Sequence, residues 1–302
     1  MSTFTIELAR AGRVTCRNHQ RLGFTRVMTG AYAQPVVAGG DQWAARRADW
    51  LTKVRAVMAL YADKHPVLYG PTALQALNVA LPHGLEDWRT VHLLVLTRGE
   101  RPRRQDVAAH VAKRELTVWR RPEGLPVLHP VDHWVQLGAA SDDALVEVGD
   151  GFVRRLGPLL TPEQMWERLD ELAGVPGIGR ARRAMRLVRP GTDSLYETRT
   201  RLTLWHAGLP EPAVNPEVWC PRRGRTYHVD LGYRAAKVAV EFDGLGHTVR
   251  DQMDQDADRR RHLQDEGWLI FVATATRLRE PAELTRSVEN ALILRQPRGQ
   301  HW

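Results

Sequence analysis

The chain has 302 residues, of which 43% are hydrophobic and 26% charged, the composition of a folded globular protein. At roughly 100–200 residues per domain, this length predicts two or three domains. The two cysteines, Cys16 and Cys220, stand far apart and outside any CxxC pair, which argues against a disulfide scaffold and against a zinc knuckle.

The charge is basic and is carried almost entirely by arginine. Lys and Arg total 43 against 35 Asp and Glu, a formal net charge of +8. Guanidinium groups bind phosphate oxygens through paired hydrogen bonds, so nucleic acid is a natural partner, although a solvated arginine-rich surface explains the composition equally well. The N-terminus lacks the apolar segment of a signal peptide, and no run of about 18 apolar residues occurs. We therefore expect a cytoplasmic protein with no membrane partner.

Residues 1–40 predict an abbreviated winged-helix-like domain. Helices are expected over residues 3–11 and over 17–22, and two short strands flank the turn at Thr29 and Gly30. Two helices and a hairpin are the outline of a winged helix, but many short α+β fragments share it.

Residues 41–158 predict an α+β middle domain. A long amphipathic helix begins near residue 41, and a second helix opens at Pro71. The segments WRTVHLLVL and ELTVWRR predict strands, and two further helices follow them. Between the strands, residues 98–114 hold five arginines and one lysine, which form either a phosphate-contacting patch or a solvated loop.

Residues 159–193 predict a basic helical linker. Pro162 takes the first position of a helix, and the segment 174–181 resembles the hairpin of helix-hairpin-helix DNA-binding modules. A tight helix turn needs the same glycines, because glycine readily adopts positive φ. We assign DNA contacts to four arginines that follow and to one in the next domain: Arg180, Arg182, Arg183, Arg186 and Arg259.

Residues 194–302 begin with a carboxylate whose role is open. Ser194 followed by Glu197 fits a capping box, so Glu197 either only caps a helix or places a carboxylate against the sheet. Later, TYHVDLGY and AKVAVEFDG predict two strands, and the second alternates apolar and polar residues.

The two strands bring a pair of carboxylates together. With a turn near residues 233–236, Asp230 lies opposite Ala239 and diagonal to Glu241, roughly 7–8 Å away between Cα atoms. Two ionised carboxylates this close repel each other unless a cation lies between them. An all-oxygen site of this kind suits Mg²⁺ or Mn²⁺.

The order of these residues resembles the very-short-patch-repair (Vsr-like) branch of the PD-(D/E)XK nucleases. The resemblance covers residues 194–292 and rests on a spaced series: Glu197, Asp230, Glu241-x-Asp243-Gly-x-x-His247, and Asp256-x-x-Arg259-x-x-x-Leu263-x-x-x-Gly267. It implies a mixed β-sheet flanked by helices, a metal ion held by Asp230 and Glu241, and assistance from Glu197. It also implies a catalytic role for His247, in the loop that replaces the usual lysine.

One residue departs from the family signature. Where the signature has lysine two positions after the acid, this chain has Asp243, which joins Glu197, Asp230, Glu241 and His247 in the predicted catalytic set. Either His247 or Lys237 takes over the function of that lysine, or catalysis has been lost.

The upstream region resembles AbiEi-type antitoxin-like proteins, through GPTALQALNV, RGERPRR and GLPVLHPVDHWVQLGA. This resemblance leaves a toxin or another protein partner open. Taken together, the sequence predicts an α/β (α+β) protein that hydrolyses DNA with Mg²⁺ or Mn²⁺. The alternative is a DNA-binding regulator or antitoxin-like protein that keeps the nuclease fold without cutting.

Overall fold

The computed structural model describes residues 6–8, 13–34, 42–85, 87–120, 124–137, 140–244 and 250–295. The chain divides into two compact units, Met1–Leu137 and Gly138–Trp302. Both contain helices and strands, which confirms the predicted mixed α/β class. No helix in the described parts is long and apolar enough to cross a membrane.

The first unit begins with a three-stranded antiparallel sheet, in the order β1-β3-β2. The strands are β1 (Ile6–Leu8), β2 (Thr25–Met28) and β3 (Ala31–Ala33), and all three contact α1 (Gln42–Leu60). The predicted hairpin at Gly30 is confirmed, with φ of 89° at this glycine.

The two helices predicted before this hairpin are wrong where the structure describes them. Residues 6–8 pair with β3 as a strand, and residues 16–23 form hydrogen-bonded turns. Burial explains the change: Val14 and Phe24 pack with Tyr32, so the segment between the strands folds over the sheet. The helices of a winged helix are therefore absent from residues 6–8 and 13–34.

The rest of the first unit is a five-stranded mixed sheet, in the order β6-β5-β4-β8-β7. Sequence patterns predict β5 and β7, but β6 is a strand where the sequence predicts a phosphate-contacting patch or a solvated loop. Short apolar runs such as VAAHV are ambiguous without a known neighbour. The elements are β4 (Val67–Leu68), α2 (Gly70–Ala76), β5 (Val91–Val95), β6 (Val107–Val111), β7 (Val118–Arg120), β8 (Pro126–Leu128) and α3 (Pro130–Val135).

The second unit opens with four helices. They are α4 (Asp142–Phe152), α5 (Pro162–Glu171), α6 (Ile178–Met185) and α7 (Leu195–His206). Helix α4, which the sequence pattern assigns to the middle domain, contacts α6 and α7. Its Asp150 is fully buried and accepts a hydrogen bond from Arg201 of α7 at 2.9 Å, so an internal ion pair ties these helices together.

A four-stranded sheet, in the order β14-β13-β12-β9, forms the centre of the second unit. Val238 and Val240 of β13 pack with Leu204 of α7 and Val288 of α10, while Leu263 of α8 belongs to the cluster on the other face. The sheet therefore has helices on both faces. The elements are β9 (Ala213–Val214), β10 (Glu217–Cys220), β11 (Arg225–His228), β12 (Leu231–Tyr233), β13 (Val238–Phe242), α8 (Arg250–Asp265), β14 (Leu269–Ala273), α9 (Ala275–Arg279) and α10 (Ala282–Arg295).

The segment predicted as one strand over TYHVDLGY is two strands in different sheets. β11 pairs with β10 in a separate two-stranded ribbon, and β12 pairs with β13. The break falls at Asp230, whose side chain and carbonyl accept hydrogen bonds from Phe242 and Asn215, both at 2.8 Å.

The register between β12 and β13 also differs from the prediction. Gly232, not Asp230, lies opposite Ala239, and Tyr233 pairs with Val238. A four-residue loop, 234–237, joins the strands and ends at Lys237 with φ of 50°. This loop is longer than the predicted turn and shifts the pairing of the two strands by two residues. Asp230 and Glu241 come directly after the Leu231–Val240 pair in this register, so they are direct cross-strand neighbours instead of diagonal ones.

Candidate active site

The first carboxylate of the site lies at the N-terminus of α7. Ser194 caps this helix and accepts a hydrogen bond from the backbone N–H of Glu197. The Glu197 side chain is only 6% exposed, and its Oε2 accepts from the backbone N–H of Asp193 at 2.8 Å. Burial, strengthened by the negative charge of Asp230, raises the pKa of Glu197 to about 7. Glu197 therefore keeps its proton to a higher pH than an exposed glutamate does.

Asp230 is the second carboxylate and lies immediately before β12. Its Oδ2 accepts a hydrogen bond from the Phe242 N–H at 2.8 Å, which fixes the carboxylate beside the end of β13. Burial and the charge of Glu241 raise the pKa of Asp230 to about 6, although the Phe242 hydrogen bond and Arg259 oppose this shift. Asp230 thus interacts electrostatically with both other acids of the site.

Asn215 connects the first two carboxylates, and sequence reasoning missed it. Its backbone N–H donates to the Asp230 carbonyl at 2.8 Å, and its side-chain amide donates to Glu197 Oε2 at 3.2 Å and to the Gly191 carbonyl at 2.7 Å. Its φ is 46°, a conformation that asparagine tolerates better than most residues. The Asn-Pro dipeptide at Asn215 and Pro216 was the available signal, since it marks turns.

Glu241 on β13 is the third carboxylate and is only 2% exposed. Both of its oxygens are engaged by α8: Arg259 Nη1 donates to Oε1 at 2.6 Å, and Arg260 Nε donates to Oε2 at 3.2 Å. Arg259 Nη1 also donates to the His228 carbonyl at 2.9 Å. Sequence reasoning assigned Arg259 to DNA and did not single out Arg260, yet both belong to the immediate surroundings of this acid.

The other residues with a predicted catalytic role lie at different positions from the three acids Glu197, Asp230 and Glu241. Asp243 follows β13, is half-exposed, and lies 3.8 Å from Arg260 Nη2 through its Oδ2. Lys237 is in the loop at the opposite end of β13, where its Nζ donates to the Glu266 carbonyl at 2.8 Å, so it does not reach the acids. His247 falls outside the described residues, and its predicted role stays a prediction.

The five arginines predicted to contact DNA separate into two groups. Arg180 lies 2.7 Å from Asp142, Arg182 lies 2.6 Å from Asp170, and Arg259 is held by Glu241. Arg183 and Arg186 are exposed, and within the described parts of the chain neither is paired with a carboxylate. Arg183 of α6 and Arg186, which caps the end of that helix, are therefore the members of the predicted set best placed to bind an external phosphate.

The carboxylates suit a divalent cation in charge and donor type. Glu197 is buried, Asp230 is partly buried, and both have raised pKa values, which is the condition that a bound cation relieves. Within the described residues, however, no three His, Cys, Asp or Glu side chains are already arranged around one metal position. Arg259 holds the Glu241 oxygen that a cation shared with Asp230 would need.

Comparison with known proteins identifies no family. No protein-family model matches the chain, and no curated protein matches it. Among solved structures, it is similar to the crystal structure of the RV2827C protein from Mycobacterium tuberculosis, with 14% identity and a TM-score of 0.37. The match covers 74% of this chain and 86% of that one.

Proposed function

We propose that this protein is an Mg²⁺-dependent endonuclease that hydrolyses phosphodiester bonds in DNA. The observation that carries the proposal is the proximity of three acids from separate segments of the chain, Glu197, Asp230 and Glu241, at one end of the β12–β13 pair. Glu197 and Glu241 are buried, and Asp230 is partly buried. Concentrating buried acids costs stability, and such perturbed groups cluster at functional sites.

Asp230 and Glu241 are the residues that would hold the ion, with Mn²⁺ as a substitute. When bound, the ion would polarise the phosphate and lower the pKa of a bound water molecule. The oxygens of Asp230 and Glu241 are hard ligands, which Mg²⁺ prefers. Arg259 must leave Glu241 Oε1 for both acids to share one cation, and a phosphate group is the partner that its guanidinium would then meet.

Glu197 is the proton acceptor in this proposal. Burial raises the pKa of Glu197 above its ordinary 4.5, which makes its carboxylate a stronger base than that of an exposed glutamate. The hydrogen bonds from Asp193 and Asn215 fix Oε2, which leaves Oε1 as the atom that takes a proton from the attacking water. His247 is the other candidate acid or base from the sequence.

The direct test is DNA cleavage by Asp230→Asn. The amide keeps the shape of the side chain and its acceptor for the Phe242 N–H, but it removes the charge that attracts the ion. We expect wild type with Mg²⁺ or Mn²⁺ to nick supercoiled plasmid or cut mismatched duplex, and Asp230→Asn to be inactive while it still binds DNA. The matched control is Asp258→Asn, an exposed carboxylate of α8 paired with Arg261. Wild-type activity equal to that of Asp230→Asn on every substrate would refute the proposal.

A second test measures the ion directly. Because Arg259 competes with a cation for Glu241, Arg259→Gln should bind Mn²⁺ more tightly than wild type, as read by the loss of the free Mn²⁺ paramagnetic resonance signal. Arg261→Gln is the control, since this arginine pairs with Asp258 on the same helix. Equal Mn²⁺ affinity in all three proteins would contradict a shared site at Glu241.

The second candidate function is a DNA-binding regulator that no longer cuts. Two observations favour it: Arg259 and Arg260 already neutralise Glu241, and Asp243 stands in place of the signature lysine. This candidate predicts DNA binding without cleavage and no change in Mn²⁺ affinity on Arg259→Gln. The two experiments above therefore separate the candidates.

A further inference from the structure

The loop that joins β5 to β6 in the first unit concentrates positive charge next to a sheet edge. Thr97 and Glu100 close the start of this loop with a reciprocal pair of hydrogen bonds. Arg101 Nε donates to the Ala109 carbonyl of β6 at 2.9 Å, which anchors the loop on the edge strand of the five-stranded sheet. The arginines of this loop are thus held beside the edge of the sheet.

A first hollow, about 780 Å³ in volume, opens on one side of this loop. Three cations line it: Lys53 from α1, Arg89, and Arg104 from the loop. Asp106 is the acid among the lining residues, 3.9 Å from Lys53 and 3.1 Å from Arg104. The lining has more cations than carboxylates and leaves positive charge for a ligand.

A second hollow, about 420 Å³, lies against the neighbouring part of the loop and β6. Arg98, Arg101 and Arg103 line it, together with His110 and other residues of β6, and its described lining includes no Asp or Glu. Burial lowers the pKa of His110, so the positive charge here comes from arginine alone. Arg103 and Arg104 are consecutive but line different hollows, so one stretch of loop serves both.

The chemistry of the two hollows selects one class of ligand. Both are open, and the described residues that line the first hollow include no aromatic side chain on which a base could stack. Cations spread over two neighbouring hollows suit a ligand with several anionic groups in a row better than a ligand with a single one. Arginine contacts to phosphate position a nucleic acid without reading its bases.

We propose that the β5–β6 loop, with Lys53 and Arg89, is a second DNA-binding surface that holds the sugar-phosphate backbone. The proposal rests on the proposed function for the identity of the nucleic acid, but it concerns the first unit and requires neither metal nor cleavage. Each phosphate that these side chains neutralise releases condensed counterions, so binding through this surface depends on salt.

The test is duplex binding by the full chain in EDTA, measured by fluorescence anisotropy over a series of salt concentrations. Arg98→Gln/Arg101→Gln/Arg103→Gln should flatten the slope of log affinity against log salt by about 2–3, because about 0.9 is lost per phosphate contact. Duplexes of different sequence should weaken alike. The matched control replaces three exposed arginines of the same unit: Arg17, Arg21 and Arg120.

The outcomes separate this inference from the proposed function. Equal slopes for the triple variant and its control overturn the inference. It is also overturned if wild type does not bind duplex DNA, or if the three arginines affect the binding of RNA alone. A flattened slope supports it even if wild type cuts no better than Asp230→Asn, in which case the proposed catalysis fails alone. If the triple variant does not fold by circular dichroism, the single change Arg103→Gln should still lower the slope by about 1.

Discussion

Glu197→Gln tests whether the buried negative charge of Glu197 destabilises the folded protein. Burial and Asp230 raise the pKa of Glu197 from an ordinary 4.5 to about 7. Between about pH 4.5 and 7, the folded protein binds a proton that the unfolded chain has released, so stability falls as the pH rises through this window. Above pH 7 the full shift costs about 3 kcal/mol, at 1.36 kcal/mol for each pKa unit.

The glutamine should therefore stabilise the protein much more at high pH than at low pH. It keeps an acceptor for the Asp193 and Asn215 N–H groups but carries no charge. Urea unfolding in EDTA should give a gain of up to about 3 kcal/mol at pH 8 and a small one at pH 4.5. Glu283→Gln, the same change at an exposed position of α10, is the control. Equal destabilisation by Glu197→Gln at both pH values would refute the reasoning.

Two further changes test the packing around the site. Arg201→Met should cost about 3–5 kcal/mol in thermal or urea unfolding, because it leaves the buried Asp150 without its cation, and adding Asp150→Asn should recover part of the loss. No recovery would contradict the ion-pair explanation. Gly232→Ala should cost about 1–3 kcal/mol, since its Cβ would lie 2.7 Å from Pro216 Cγ, whereas Gly99→Ala has room and should be close to neutral. Similar melting temperatures for the two alanine variants would argue against this close contact.

Local patterns predicted many elements of the chain. Helices with a clear start, such as α5 behind Thr161 and Pro162, follow from capping, which acts within a single turn. The alternation in AKVAVEFDG predicted that Val238 and Val240 share a face, and they lie in one core cluster. Patterns failed where partners decide the structure, as at residues 6–8, which pair with β3 instead of forming a helix.

The sequence by itself identified the three acids of the candidate site: Glu197 after its helix cap, Asp230, and Glu241 on an alternating strand. Only the tertiary structure decided how they meet. The four-residue loop sets the register that makes Asp230 and Glu241 neighbours, and Asn215 joins Glu197 to the Asp230 segment.

The same distinction explains the arginines. Composition identified an excess of guanidinium groups but not their partners, because an arginine reaches whatever carboxylate or carbonyl the fold brings within hydrogen-bonding distance. Arg259 and Arg260 follow Glu241 by 18 and 19 positions in the sequence. They donate hydrogen bonds to its two carboxylate oxygens because α8 packs on that face of the sheet. The identity of the acids is a property of the sequence, whereas their charge balance depends on helix packing over distances that no local pattern encodes.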